Sequence, residues 1–258
     1  MNPLLDTLVS LLDMEQLETH LFRGASQDLG FRQLFGGQVL GQALSAASKT
    51  VDPDRQANSL HGYFLRAGDA GKPVIYQVEP VRDGATFCTR RVMAIQNGRP
   101  IFTCSVSFHI REEGFQHQMQ MPDVPMPEEL VPDNELTEEL SRALNDEKRV
   151  KMLREKPIEP RAVQVLDPLN PEKTAPAKHV WFKADGQLPD CPALHRYLLA
   201  YTSDFSLLTT SLLPHGASIW QPQMPVASLD HAIWFHDNVR MDERLLYSMD
   251  SPWAGGAR

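Results

Sequence analysis

At 258 residues the chain has room for one large domain or two modest ones, and a 42% hydrophobic share allows a sizeable core. A formal net charge of −8 argues against nucleic acid as the main partner, while leaving room for a local basic patch facing a phosphorylated ligand. Three cysteines, Cys88, Cys104 and Cys191, form no metal-binding pair and are odd in number, which fits a reducing cytoplasm. No apolar run is long enough to insert into a membrane.

The opening stretch Met1 to Asp13 has apolar residues but no basic n-region, and acids interrupt it. It reads as a short amphipathic helix and not as a signal peptide. Leu21 to Gly37 reads as short extended pieces broken by glycines. Gln38 to Ser48 is apolar and small nearly all round, so a central helix wrapped by other chain is expected there. Gly36 and Gly37 at its start allow a tight entry and could offer N–H groups to an anionic or carbonyl oxygen.

Ser59 to Arg66 and Val74 to Val81 read as strands. Phe87 to Gln96 and Arg99 to Ile110 flank Asn97-Gly98, a strong two-residue hairpin signal that pairs Gln96 with Arg99. An unbroken register from that turn sets Phe87, Met93 and Ile95 on one face with Phe102, Cys104, Val106, Phe108 and Ile110, packed on the small-residue helix. It also sets Cys88 opposite Ser107, on the other face from Cys104, so those two are not expected to be bonded. From Glu112 the texture turns acidic and proline-punctuated, with Pro122, Pro125 and Pro127 followed by a charged, exposed helix over Glu135 to Lys156.

Order then resumes. Arg161 to Leu166, His179 to Lys183, Ala227 to Phe235 and Arg244 to Met249 read as strands. Between them, Leu194 to Leu213 carries Leu194, Leu198, Tyr201, Phe205, Leu208 and Leu212 at steps of four and three, which is one helical face. Asp204 sits among them. By itself it could be a side chain that escapes to solvent. Held instead against a cavity, partial desolvation would raise its pKa toward that of a general base.

The two halves share an order of strands, buried helix, strand, strand. Ser59-Leu60-His61 and Ser228-Leu229-Asp230 open comparable strands, and Gly84-Ala85 and Gly256-Ala257 follow at similar distances. This predicts a repeat at 1–111, a linker at 112–156 and a second repeat at 157–258. The second repeat stops short of the two strands that close the first, so further chain after Arg258 is expected.

These residues carry a resemblance. Phe35 to Gln42 (FGGQVLGQ), Tyr63-Phe64-Leu65-Arg66, Arg82-Asp83-Gly84, Ser203-Asp204 and Asp230 to His236 (DHAIWFH) resemble the acyl-CoA thioesterase II family along nearly the whole chain. The resemblance implies an α+β double hotdog fold, in which two buried helices are each wrapped by strands of a continuous antiparallel sheet. It also implies hydrolysis of fatty acyl-CoA by a water held between an aspartate, a serine or threonine, and a glutamine, with no metal, covalent intermediate or cofactor beyond the CoA of the substrate.

Asp204 matches the aspartate through Tyr201-Thr202-Ser203-Asp204, and Ser228 matches the hydroxyl through Ser228-Leu229-Asp230-His231. The glutamine belongs to a final strand that has no position here; its counterpart in the first repeat falls near Val106. Ala67, Asp237 and Arg244 depart from relatives that often have proline, arginine and tryptophan there. No G-x-S-x-G turn surrounds Ser228, so it is not read as a nucleophile.

His61, His231 and His236 fall in no metal pattern, and only His61 is kept as a possible pocket residue. Arg90, Arg91 and Lys72 could meet CoA phosphates but read more simply as solvated charges. Two other functions stay open. A hotdog enoyl-CoA hydratase would want a histidine about one turn after Asp204, where Thr209 stands. A non-catalytic acyl-CoA binder would bind without releasing CoA. A homodimer or homotetramer in the cytoplasm is expected.

Overall fold

The computed structural model describes residues 2–30, 33–142, 144–221 and 224–256. Ala257 and Arg258, part of the repeat comparison, lie outside the described residues.

The first helix, α1 (Pro3–Leu12), starts where Asn2 accepts the Leu4 N–H at 2.9 Å and Pro3 takes the first helical position. Its buried Leu5, Leu8, Leu11 and Leu12 stripe does not stay with its own half: it packs with Ile158, Val180, Phe182, Leu198 and Tyr201. Strands β1 (Glu15–Glu18) and β2 (Leu21–Gly24) follow, then α2 (Gly36–Ser48), which is buried from Gly37 to Ala47. That all-round burial explains why its sequence is small and apolar on every face.

Strands β3 (Arg55–Phe64), β4 (Val74–Asp83), β5 (Phe87–Gln96) and β6 (Arg99–Ile110) wrap α2. Asn97 and Gly98 both have positive φ, 50° and 70°, and Gln96 pairs with Arg99 as the turn chemistry requires. Beyond the turn the register departs from expectation. Ala94 pairs with Phe102 and Ile95 with Pro100, so Ile101 is an extra residue, a β-bulge. Its carbonyl accepts the Leu65 N–H at 2.8 Å and the Arg66 N–H at 3.2 Å.

The bulge reverses the inner face of β5. Cys88, Val92 and Ala94 are buried with Phe102, Cys104, Val106 and Phe108, while Phe87 is exposed. Cys88 therefore faces Phe108 instead of Ser107 and shares the inner face with Cys104, and the two thiols are unbonded.

Over the proline-punctuated stretch the expected single helix is two, α3 (Asp133–Ser141) and α4 (Asp146–Met152). The Ser141 hydroxyl turns back onto the Glu138 carbonyl, and Asn145, a capping residue type, stands before α4. This stretch is tied to the second half: the Trp181 indole donates to Pro125 O and Arg161 donates to Pro127 O.

The second half follows an order of elements similar to that of the first. It contains β7 (Ile158–Ala162), β8 (Ala177–Ala184), α5 (Pro192–Ser203), a one-turn α6 (Leu207–Thr210), β9 (Asp230–Trp234) and β10 (Leu245–Asp250). β8 pairs with β10 as β2 pairs with β4, and α5 lies against α2 as its counterpart. Among the described residues the strands form two antiparallel sheets, one ordered β1-β2-β4-β5-β6-β3-β9 and one ordered β10-β8-β7. The expected continuous sheet is thus realised across the halves at one seam, where β3 pairs with its counterpart β9. No described strand joins β9 to β10.

The predicted helix over Leu194 to Leu213 is broken. α5 ends at Ser203, Asp204 caps it, and Ser206 adopts a left-handed φ of 65° before α6. The helical spacing of Leu208 and Leu212 survives the break, which is why the sequence reads as one element.

Candidate active site

The end of α5 and the start of α2 meet at a contact that only glycine permits. A methyl on Gly37 would collide with the Tyr201 carbonyl oxygen, and one on Gly36 would stand 2.6 Å from Asp204 Oδ2 and 3.0 Å from Phe64. Because α5 stops at Ser203, Asp204 is not a mid-helix residue. It projects from the helix end across the N-terminus of α2, whose first N–H groups have no partner within the helix.

The Gly37 N–H and the Ser228 hydroxyl lie beside the Asp204 carboxylate and favour its charged form. Burial opposes its charge more strongly than these two donors favour it, so its pKa is pushed up to about 6. Phe35, stacked on Phe205 at 4.5 Å and edge-on to Tyr201 at 5.2 Å, supplies apolar surroundings. A carboxylate in that range is still largely ionised at neutral pH, yet basic enough to take a proton from water.

Asp204 and Ser228 are brought together, as the sequence implies. His61 is not. It lies on the outer face of β3, exposed and edge-on to Trp234 at 4.8 Å, while its neighbours Leu60 and Gly62 face inward. Strand alternation explains this: His61 has the wrong parity to reach the helices. Val106 is buried on the inner, helix-facing side of β6, the face expected for it.

Arg90 is a correction. It is buried, not solvated, and its guanidinium is bound by Asp83 at 2.6 Å and by Thr50 Oγ1 and O at 3.0 Å each. Arg91 and Lys72 are surface charges paired with Glu79 and Asp69. The Gly37 N–H is a site group that the glycine pair did signal. The Tyr247 hydroxyl, donating to Ser203 O at 2.9 Å, and His231, 3.0 Å from the Ser203 hydroxyl, are two neighbours the sequence did not single out for this place.

Solved structures locate this fold. A protein from Alicyclobacillus acidocaldarius described as having a hot dog fold superposes with a TM-score of 0.68 at 18% identity, covering 90% of this chain and 79% of the other. An acyl-CoA thioesterase II from Mycobacterium marinum superposes with a TM-score of 0.77 at 41% identity, covering 96% of this chain and 87% of that one. Fold and site together therefore define a hotdog thioesterase.

The sequence comparisons narrow this further. Residues 26–109 match the model of the acyl-CoA thioesterase N-terminal domain, and residues 148–258 match that of acyl-CoA thioesterase. The chain is 40% identical to acyl-CoA thioesterase 2 of Haemophilus influenzae over all of its own length and 90% of that protein. It is 41% identical to human acyl-coenzyme A thioesterase 8, over 97% of this chain and 81% of the other. The chain belongs to the acyl-CoA thioesterase family.

Proposed function

We propose that Asp204 is the general base of this acyl-CoA thioesterase and that Ser228 holds the attacking water beside it. The chain hydrolyses acyl-CoA thioesters. In the proposed route Asp204 takes a proton as the water oxygen bonds to the thioester carbonyl carbon. The C–S bond then breaks, thiolate leaves, and the proton returns to the products as free acid and CoA. Thiolate is a good leaving group, so no strong acid is needed on the sulfur side.

The first-turn N–H groups of α2 other than that of Gly37 are the donors proposed for the carbonyl oxygen as it gains charge. The observation that carries this reading is the convergence of a Ser228 hydroxyl and a Gly37 N–H on one half-buried carboxylate with a raised pKa. The test is CoA release by Asp204→Asn and Ser228→Ala, measured as free thiol. Binding without thiol release by the unaltered chain would make it a carrier, and hydration of an enoyl-CoA with the thioester intact would make it a hydratase.

The reaction is proposed to need neither metal nor cofactor. Among the described residues no group of three or more His, Cys, Asp or Glu could hold a metal ion. EDTA should leave thiol release unchanged; loss restored by zinc would refute this.

Self-association as a homodimer or homotetramer, in the cytoplasm, is proposed as well. Tyr63 (63% exposed) and Trp234 (57%) share the outer face of β3 and β9, an apolar surface of the kind that association covers. The free thiols Cys88 and Cys104 suit a reducing compartment. No described helix is long and apolar enough to cross a membrane. Light scattering on the purified chain tests the assembly.

A further inference from the structure

Asp204 and Ser228 lie on separate elements, and nothing in either residue fixes the distance between them. Ser228 stands two residues before β9, outside any helix or strand, after a connection from α6 that holds one short 3-10 turn over Leu213–His215. The β3–β9 ladder, with Leu229 O accepting the Phe64 N–H at 2.9 Å, sets the position of this segment along the sheet. It does not set the gap between sheet and helix end. Side chains must do that.

One side chain is placed for it. His231, three residues after Ser228, is paired opposite Gly62, points inward and is only 8% exposed. Its Nε2 is 3.0 Å from the hydroxyl of Ser203, the residue before Asp204. The Ser203 hydroxyl has a second partner, the Ala200 carbonyl, at 2.9 Å. One hydroxyl carries one proton; with it given to Ala200, His231 donates its own Nε2–H to the Ser203 oxygen. The His231–Ser203 bond thus ties the two segments one residue from Asp204 and three from Ser228, which faces the carboxylate. Tyr247, from β10, holds the same turn from the other side through the Ser203 carbonyl at 2.9 Å.

We propose that His231 is a positioning residue, which acts through Ser203 to hold Ser228 and Asp204 at the spacing that seats the water. The inference rests on the Asp204–Ser228 reading above. The His231 ring is engaged through Nε2 by the Ser203 hydroxyl, so the role assigned to it runs through Ser203. Burial holds its pKa below the usual histidine value, Asp230 opposing, so the ring stays neutral at working pH and the contact does not depend on charge.

The experiment uses the full chain, with kcat and KM read from thiol release and folding read from thermal unfolding. Removing the ring nitrogen in His231→Phe should lower kcat by about 10- to 100-fold, the cost of misplacing reacting groups by a fraction of an ångström to an ångström, with KM within about twofold. His231→Gln, which keeps an N–H donor, should recover most of that loss. Ser203→Ala removes the same contact from the other side and should lower kcat alike, and the double variant should be no slower than either single one.

Wild-type kcat in both His231→Phe and Ser203→Ala would overturn the inference, as would losses that multiply in the double variant, or a rise in KM with kcat unchanged. Should His231→Phe melt early, Ser203→Ala and His231→Gln decide the matter by the same criteria. Asp204→Asn is assayed alongside. If it is inactive while His231→Phe is at the wild-type rate, only the positioning role fails. If Asp204→Asn itself is at the wild-type rate, the reading of the site fails and takes this inference with it.

Discussion

At Asp204 two effects compete, and their balance sets the chemistry. Burial raises the carboxyl pKa, while the Gly37 N–H and Ser228 hydroxyl lower it, leaving a value of about 6. In the proposed role the base is the ionised form, so kcat should rise with pH through a limb near 6, and a limb at the ordinary carboxylate value would show Asp204 to be solvated in solution. Asp204→Asn keeps the shape and removes the proposed base; loss of about 10²–10⁴-fold in kcat is expected. Gly36→Ala tests the surroundings: its methyl would stand 2.6 Å from Oδ2, so the carboxylate must shift, and turnover should fall although no reacting group has changed. Near-normal turnover in Gly36→Ala would mean that Asp204 has freedom to move. The two polar side chains of this site were legible in the sequence because Tyr201-Thr202-Ser203-Asp204 and Ser228-Leu229-Asp230-His231 carry the family pattern. His61 was misplaced because residue type and motif give no parity, and only the strand register shows that it points outward. The inward parity of His231 likewise shows only in the register.

Between elements, the decisive contact is α2 against α5. Gly37 lets the helix backbones meet where any side chain would strike the Tyr201 carbonyl, and that close approach is what brings the Gly37 N–H to Asp204. Gly37→Ala must push the helices apart, so a loss of about 1–3 kcal/mol, or more, is expected from overpacking against backbone that cannot yield. Thermal or denaturant unfolding would read it, and a midpoint equal to that of the wild type would mean that the contact is looser than described. The hairpin around Asn97-Gly98 was read correctly at its turn because two residues of positive φ leave little choice of chemistry. Its faces were read wrongly because Ile101 bulges. Proline cannot complete a ladder hydrogen bond and is found in strands mainly at edges and bulges, so Pro100 was the available signal. The long helix over Leu194 to Leu213 was overdrawn for a different reason: apolar spacing continues through Ser206, and a left-handed serine has no marker as plain as a glycine.

Across the whole molecule the buried ionisable groups pull the pH dependence of stability in opposite directions. Burial works against the charge of Glu159, but Arg244 and Arg161 outweigh it and hold its pKa below the usual value; burial also opposes the charge of Asp242, and there the Leu188 N–H and Arg240 outweigh it. Depressed carboxylates stabilise the fold above the ordinary carboxylate pKa, and that contribution is lost as pH falls through their folded values. His195 and His231 are lowered by burial, so the unfolded chain binds protons before the folded one does, and stability declines as pH drops below about 6.5. Asp204 has the reverse sign. Its folded pKa of about 6 lies above the unfolded value of 3.8, so the folded state holds the proton longer, and stability falls as pH rises from about 4 through 6. The net curve near pH 6 therefore mixes gain from the histidines with loss from Asp204, and wild-type data alone cannot separate them. The difference between wild type and Asp204→Asn can, because the histidines are common to both. Asp204→Asn should gain stability relative to wild type as pH is raised from 5 to about 7, where the unaltered chain must bury a charge and the variant does not. Melting temperatures of the two proteins across that range provide the check, and parallel curves would mean that the Asp204 carboxylate is better solvated than its place between α2 and α5 implies.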